Sequence, residues 1–271
     1  MPLCGRNKFV KIPRCTLHSQ EDIRVIGIIQ ARLGSTRLPG KVMLPLAGKP
    51  VIQHVIERTK LIPGISKVVI ATPASPTDDQ LVHFCDSINA TVFRGSESDV
   101  LDRYYQAALL HQADVVVRIT ADCPLIDPVE SGKVVKRFFE VKADYVSNTN
   151  PPMLPDGLDT EVFSMEALTK AWANARKKSE REHVTLYIYS NPQEFTIGSV
   201  LYKHDLNQYR LTLDEMADYV LLERIFSTLE EKNQFGYLHE VLLILDSNPE
   251  FLKINRTIRR NEGLIHSLRQ D

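Results

Sequence analysis

Three cations directly follow a short apolar run near the start of the chain. Residues 25–31 read Val-Ile-Gly-Ile-Ile-Gln-Ala, and Arg32, Arg37 and Lys41 follow among glycines, hydroxyl groups and a proline. A run bounded by turn residues is typical of a buried strand in a parallel sheet, and such sheets bind ligands beyond the carboxyl ends of their strands. Glycines let the backbone approach an anion closely, and arginine and lysine neutralise its oxygens. We therefore expect this loop to hold a polyphosphate.

The spacing of its glycines separates this loop from the P-loop of nucleoside triphosphatases. A P-loop has a hydroxyl residue after its lysine and a shorter interval between its glycines. Here Gly34 and Gly40 enclose five residues, and Val42 follows Lys41, so the hydroxyl that would hold magnesium is missing. A solvated basic turn is the other alternative, and the density of cations directly after a strand argues against it.

Two aspartates at later strand ends are candidates for a metal site beside this loop. Asp122 follows a predicted strand at 114–120, and Asp214 lies where the apolar run 209–213 meets a helix. Magnesium takes one or two carboxylates together with phosphate oxygens, so the pair suits a metal–triphosphate complex. Each aspartate also has a purely structural alternative, Asp122 as a turn residue and Asp214 as a helix N-cap.

The hydrophobic pattern indicates an α/β fold that would position these residues. Predicted strands at 25–31, 67–72, 90–93 and 114–120 alternate with predicted helices at 51–61, 77–88 and 98–109. This order predicts a doubly wound, mostly parallel sheet with right-handed crossovers. After a turn-rich loop, the later elements are a strand near Glu161, two helices separated near Ser179, strands at 195–201 and 209–213, and a helical tail with a helix start at Asn248.

The size and charge of the chain exclude several classes of protein. Its 271 residues, 43% of them hydrophobic, can bury a full core, whereas a formal net charge of -1 gives no field to recruit nucleic acid or an anionic membrane. No apolar run approaches the roughly 18 residues that cross a bilayer. The four cysteines have neither paired nor dense spacing, so we expect reduced thiols in a cytoplasmic protein.

Five motifs occur in order along the chain, followed by a characteristic tail. The motifs span residues 30–41, 99–105, 118–127, 156–163 and 181–185, and the tail segment spans residues 254–263. Together they resemble the CTP-dependent cytidylyltransferases that activate acidic sugars, among them the synthetases for CMP-3-deoxy-manno-octulosonate and CMP-sialate. The spore-coat-polysaccharide branch is the most similar, and the resemblance covers residues 25–268.

The resemblance implies a Rossmann-like nucleotidyltransferase fold. Residues 23–235 would form this domain, with a mostly parallel sheet flanked by helices. Residues 236–271 would be a helical C-terminal extension packed on the domain. Residues 1–22 contain four cations and no acid before Glu21, so we expect a flexible N-terminal extension, with a transit-like arm as the alternative. The family also implies a homodimer.

The implied reaction is the magnesium-dependent transfer of CMP from CTP to an acidic sugar or related acceptor, with release of pyrophosphate. Asp122 and Asp214 match the magnesium ligands of the family, and Arg32, Arg37 and Lys41 would be catalytic. The implied nucleotide contacts are Ala31, Arg32, Gly34, Ser35, Arg37, Lys41, Thr72, Arg103 and Arg118. The candidates for acceptor contacts are Asp156, Asp159, Glu161, Arg181 and His183.

The chain departs from the family pattern around both aspartates. Residues 121–124 read Ala-Asp-Cys-Pro, against Gly-Asp-Glu-Pro in the 3-deoxy-manno-octulosonate enzymes, which argues against that sugar as acceptor. Residues 212–218 keep two aspartates but lack the Thr-Pro-Glu that often lies between them. The resemblance therefore does not determine the shape of this loop.

Two other functions are alternatives. A nucleotide-sugar-dependent glycosyltransferase of related topology would need an Asp-x-Asp motif after a strand, which residues 121–123 lack. A non-catalytic nucleotide-binding protein would not need both aspartates together with the whole cationic loop. His183 has an alternative of its own, as a hydrogen-bonded core histidine.

Overall fold

The computed structural model describes residues 23–271, so the extension predicted for residues 1–22 lies outside the described part of the chain. The strands are β1 (Val25–Gln30), β2 (Pro45–Leu46), β3 (Lys49–Pro50), β4 (Lys67–Pro73), β5 (Thr91–Gly95), β6 (Val115–Thr120), β7 (Tyr145–Ser147), β8 (Glu161–Ser164) and β9 (Ile197–Ser199). Strands β2 and β3 pair as a small antiparallel hairpin, and the others form one sheet.

The main sheet has the order β5-β4-β1-β6-β8-β7-β9. Strands β5, β4, β1 and β6 run parallel, and β8 runs antiparallel to both β6 and β7. The predicted mostly parallel sheet is therefore confirmed. Gln30 at the end of β1 lies opposite Thr120 at the end of β6, so the cationic loop and Asp122 leave the sheet side by side.

Helices cover both faces of this sheet. They are α1 (Val51–Thr59), α2 (Asp79–Ser87), α3 (Val100–Leu110), α4 (Pro128–Val141), α5 (Met165–Asn174), α6 (Lys178–Glu182), α7 (Leu186–Ser190), α8 (Met216–Glu231), α9 (Leu238–Ser247) and α10 (Glu262–Leu268). Among these described helices, none combines the length and the apolar character needed to cross a membrane.

Alternate residues of each strand face opposite layers, because successive side chains of a strand point to opposite sides. In β1, Val25 belongs to the apolar cluster that includes residues of α1, α2 and α4, whereas Ile26 belongs to the cluster that includes residues of α3, α5 and α7. A third apolar cluster joins α8 and α9 to the loops beyond the strand ends, including Leu38, Leu125 and Leu211. Helices α8 and α9 therefore pack against the loops beyond the strand ends, where the candidate site lies.

The strand predicted at residues 209–213 is wrong. Within the described chain this segment makes only one isolated bridge, between Arg210 and Asp156. The Leu213 N–H donates to the carbonyl of Asp122 at 2.8 Å. The segment is extended, but its neighbours are loops rather than a strand, so no ladder forms.

The helix start predicted at Asn248 is also wrong, because only a 3-10 turn, Phe251–Lys253, follows it. The side chain of Asn255 donates to the carbonyl of Arg210 at 3.1 Å. Phe251 packs against the third apolar cluster. These tertiary contacts outweigh the local preference for a regular helix, and the full helix α10 begins only further on.

Candidate active site

The cationic loop keeps its shape through backbone hydrogen bonds. The Gly40 N–H donates to the Leu33 carbonyl at 3.0 Å, and Gly40 has a φ of 68°, which glycine adopts without strain. The Leu33 N–H donates to Oδ1 of Asp78 at 2.7 Å, and Asp78 is only 2% exposed. The loop is therefore closed on itself and anchored to the chain before α2. No local pattern in the sequence indicated this role for Asp78.

Lys41 lies between the two predicted metal ligands. Its Nζ is 2.7 Å from Oδ2 of Asp122 and 2.8 Å from Oδ1 of Asp214. Burial alone would lower the pKa of Lys41, but the two carboxylates outweigh it and raise that pKa. Burial likewise opposes ionisation of Asp122, yet Lys41 lowers the pKa of Asp122 to about 2. Lys41 and Asp122 are therefore both charged near neutral pH.

The two predicted catalytic arginines are more open than Lys41. Arg37 contacts Asp214 through Nη2 at 3.0 Å, and its side chain is 39% exposed. Arg32 is exposed at the start of the loop. In the same loop, the Ser35 hydroxyl accepts the Leu38 N–H at 3.3 Å. The guanidinium groups are therefore accessible to a ligand, while the serine supports the turn.

Arg210, for which no sequence pattern provided a signal, holds the second aspartate in place. Its Nη2 lies 2.8 Å from Oδ2 of Asp214, its Nε 2.9 Å from Oδ1 of Asp218, and its Nη1 2.7 Å from Oδ2 of Asp156. Asp218 is fully buried and accepts the Asp214 N–H at 3.0 Å. Burial opposes ionisation of Asp218, but the hydrogen bonds from Arg210 outweigh it and lower the pKa of Asp218. Arg210 and Asp218 therefore position Asp214.

A cavity of about 430 Å³ opens beside these ion pairs. Eight of the predicted site residues line it, namely Arg37, Arg118, Asp122, Asp156, Asp159, Glu161, His183 and Asp214. Residues 261–264 of the tail form part of the same wall. The structure therefore brings the predicted metal pair together with four of the five acceptor candidates.

Arg118, predicted to contact the nucleotide or the acceptor, lies among the acceptor candidates. Its Nη1 is bonded to Glu161, whose Oε1 accepts hydrogen bonds from the hydroxyl groups of Tyr145 and Thr185, each at 2.6 Å. The Nε of Arg118 is buried and has no hydrogen-bond partner within residues 23–271. Burial raises the pKa of Tyr145 well above its usual range, so that hydroxyl stays protonated. Arg118 therefore lines the cavity while Glu161 holds its guanidinium group in place.

His183 has features of both predicted alternatives, the acceptor-binding residue and the hydrogen-bonded core histidine. It lines the cavity, and its Nε2 lies 3.0 Å from the hydroxyl of Ser267 in α10. Burial lowers the pKa of His183, so its ring is neutral near pH 7.

Arg181 is the acceptor candidate that the structure does not bring into the cavity. Its Nε and Nη2 lie 2.9 and 2.5 Å from Oδ2 of Asp99, and its Nη1 donates to the Trp172 carbonyl at 2.7 Å. Asp99 is the N-cap of α3, where its other oxygen accepts the Asp102 N–H. Arg181 therefore joins α6 to α3, and its guanidinium is already occupied.

Two predicted nucleotide contacts are buried away from this cavity. Arg103 is fully buried, and its Nη1 donates to the Ser96 carbonyl at 2.6 Å. Its Nε and Nη2, and the hydroxyl of fully buried Thr72, have no hydrogen-bond partner in the described part of the chain. Buried polar groups are usually hydrogen-bonded, so these atoms are exceptions, and neither residue lines the cavity.

Asp122 and Asp214 fit a metal that shares its coordination with a phosphate. Over residues 23–271, no group of three or more His, Cys, Asp and Glu side chains is arranged to hold a metal. Magnesium, however, is commonly held by one or two carboxylates, with water and substrate phosphates completing the shell. The position of Lys41 Nζ shows that one cation can contact both aspartates. The donor set therefore suits magnesium bound together with a nucleotide.

Comparisons with known proteins agree with this geometry. A family model described as cytidylyltransferase matches residues 26–247. The chain is 32% identical over 233 residues to the spore coat polysaccharide biosynthesis protein SpsF of Bacillus subtilis, covering 83% of this chain and 95% of that protein. It is 35% identical over 252 residues to the 8-amino-3,8-dideoxy-manno-octulosonate cytidylyltransferase of Shewanella amazonensis, covering 87% of this chain and 96% of that protein.

A solved structure gives the same result for the fold. The chain superposes on a cytidylyltransferase from Leptospira borgpetersenii with a TM-score of 0.81 and 31% identity, covering 88% of this chain and 100% of that chain. The resemblance inferred from the sequence motifs is thereby confirmed. The chain belongs to the cytidylyltransferase family, whose members are nucleotidyltransferases that use CTP.

Proposed function

We propose that this protein transfers CMP from CTP to a sugar acid or a closely related acceptor, with magnesium as its cofactor. The observation that carries the proposal is the cluster of Lys41, Asp122 and Asp214, because its two aspartates line a polar cavity together with Arg118 and Glu161. A metal–triphosphate and a sugar acid need such groups side by side. The relative named for its action on an amino sugar acid supports the same class of acceptor.

In the proposed reaction, a lone pair on an acceptor hydroxyl oxygen attacks the α-phosphorus of CTP. The bond from that phosphorus to the oxygen bridging to the β-phosphorus breaks, and its electron pair leaves with pyrophosphate. The hydroxyl proton passes to water, and the acceptor becomes linked to CMP. Protein groups mainly position the reactants and stabilise the charge on the phosphoryl oxygens.

The cationic loop would hold the triphosphate. The exposed guanidinium groups of Arg32 and Arg37 are open to a phosphate. Asp122 and Asp214 would hold magnesium, which when bound supplies positive charge that polarises the phosphate oxygens.

Arg118 is the residue that we assign to the carboxylate of the acceptor. Arg118 lines the cavity, and its planar guanidinium group suits a carboxylate. Neutral His183 can exchange hydrogen bonds with hydroxyl groups of the sugar, and Asp159 can accept from them. These side chains would orient the acceptor, while its hydroxyl oxygen faces the nucleotide.

The test is pyrophosphate release from CTP, ATP, GTP and UTP with a panel of sugar acids. The panel contains 3-deoxy-manno-octulosonate, its 8-amino-3,8-dideoxy form and N-acetylneuraminate. We expect release with CTP only and with one acceptor class, and a CMP-linked product by mass spectrometry. Release that needs no acceptor, or that shows no preference among the four nucleotides, would refute the proposal. Asp122→Asn serves as the control for adventitious hydrolysis.

The homodimer and the cytoplasmic location expected from the sequence stay predictions. Sedimentation equilibrium of the full chain measures the first directly. Fractionation of the native cells measures the second.

A further inference from the structure

The last segment of the chain lies against the cavity although it follows the part that matches the family model. That match ends at residue 247, whereas residues 261–264 line the cavity wall. Asn255 ties the start of this segment to the ion-pair network, because its side chain donates to Oδ1 of Asp218 at 2.9 Å. The segment from Asn255 onward is therefore a candidate for selecting the acceptor.

Arg260 anchors this segment to two acceptor candidates. Its Nη2 lies 2.5 Å from Oδ1 of Asp159, and its Nε lies 3.9 Å from Oδ1 of Asp156. Its Nη1 donates to the Leu154 carbonyl at 3.0 Å. The side chain is 17% exposed, so these contacts are largely shielded from water. Arg260 therefore pairs with the two aspartates of this loop and also holds the loop in position.

The same segment also contacts the other side of the site. Glu262 lies 3.7 Å from Nη1 of Arg37 in the cationic loop. Further along, the Ser267 hydroxyl donates to Glu182 at 2.9 Å and lies 3.0 Å from Nε2 of His183. The tail therefore spans from the triphosphate loop to the acceptor wall, and it closes one side of the cavity.

The charge balance of the wall depends on Arg260. Asp156 has a second cationic partner in Arg210, but Arg260 makes the only salt bridge of Asp159 within residues 23–271. Burial raises the pKa of Asp159 to about 7 although Arg260 lowers it, so without Arg260 this carboxyl would be protonated near neutral pH. The wall would then lack the carboxylate that attracts an acceptor carrying an ammonium group.

We propose that Arg260 is a specificity-determining positioning residue, which pairs with Asp159 and holds the tail as the acceptor-facing wall of the cavity. This inference rests on the proposed function. It concerns only acceptor selection, and it leaves the contacts with CTP unchanged. Arg260 acts through Asp159 and the wall, without touching the reacting atoms.

The test compares Arg260→Met with the wild type in steady-state assays using 3-deoxy-manno-octulosonate and its 8-amino-3,8-dideoxy form as probes. We expect the KM for the better acceptor to rise roughly tenfold, while the KM for CTP stays within about a factor of two. The ratio of kcat/KM for the amino form over the hydroxyl form should fall about fivefold, because a protonated Asp159 no longer attracts an ammonium group. Arg260→Lys should restore most of the original ratio.

Arg259→Met is the matched control, because Arg259 is the exposed neighbour in the same segment and does not line the cavity. It should leave both KM values and the acceptor ratio unchanged. Should Arg260→Met fold poorly, Asp159→Asn in the presence of Arg260 also removes the carboxylate and is expected to lower the ratio to a similar extent. Wild-type turnover combined with an unchanged ratio and acceptor KM in Arg260→Met would overturn the inference. Absence of turnover in the wild type with every sugar acid would instead remove the proposed function, and this inference with it.

Discussion

The ammonium group of Lys41 lies 2.7 Å from Oδ2 of Asp122, although 81 residues separate the two in sequence. Asp214 accepts from the same ammonium group at 2.8 Å. Lys41 therefore neutralises the two carboxylates in this structure, in the position from which a divalent cation would contact both. Its predicted role at the triphosphate requires it to leave at least one of them when metal and nucleotide bind.

Lys41→Met should lower kcat at saturating CTP by about two orders of magnitude, because a charge that stabilises the transition state is lost. The same substitution should tighten Mn²⁺ binding in the absence of CTP, since the two aspartates lose their internal counter-ion. Electron paramagnetic resonance of free Mn²⁺ measures the second effect. Lys49→Met is the control, because Lys49 pairs with Glu57 on the surface. Unchanged kinetics in Lys41→Met would remove the loop from the mechanism.

Asp122→Asn should abolish metal-dependent activity and also change the acid stability of the protein. The pKa of Asp122 is lowered to about 2, so its ionised form stabilises the fold above the unfolded pKa of about 4. That contribution, about 2 kcal/mol, is lost as pH falls from about 4 to about 2.

Urea unfolding of the wild type and Asp122→Asn at several pH values between 2 and 6 measures this component. The difference between their free energies of unfolding should change across that acidic window and stay constant above it. A constant difference at every pH would contradict the assigned ion pair with Lys41.

Arg210→Met should destabilise the protein by about 3–5 kcal/mol, because Asp218 would remain buried without its cationic partner. Activity should also fall, since Asp214 loses one of its anchors. Denaturant unfolding gives the first quantity, and Asp218→Asn in the same background should recover part of it. Arg256→Met, at an exposed position, is the control. A cost no larger than that of the control would show that the network does not stabilise the fold.

Arg181→Ala should affect stability rather than acceptor selection. Its guanidinium is bonded to Asp99, so we expect a loss of about 1–2 kcal/mol and similar changes in the KM values for CTP and acceptor. A double-mutant cycle with Asp99→Asn isolates the pair energy. A selective rise in the acceptor KM would instead support the direct contact suggested by the sequence.

Local sequence patterns alone determined several strands of the fold and part of the candidate site. The strands β1, β4, β5 and β6, the loop after β1 and the aspartate after β6 all follow from short apolar runs bounded by turn residues. The motif order identified the family. The helix α4 was missed, although Asp127 as N-cap and Pro128 at the first position were visible signals.

Only the tertiary structure decided which charges meet. The sequence indicated Lys41 as a phosphate ligand and Arg181 as an acceptor ligand, but the fold pairs the first with two aspartates and the second with Asp99. It also added Arg210 and Arg260, for which no local pattern provided a signal. Ion pairs across 81 or 173 residues depend on strand order and on the packing of the tail, and no short stretch of sequence contains that information.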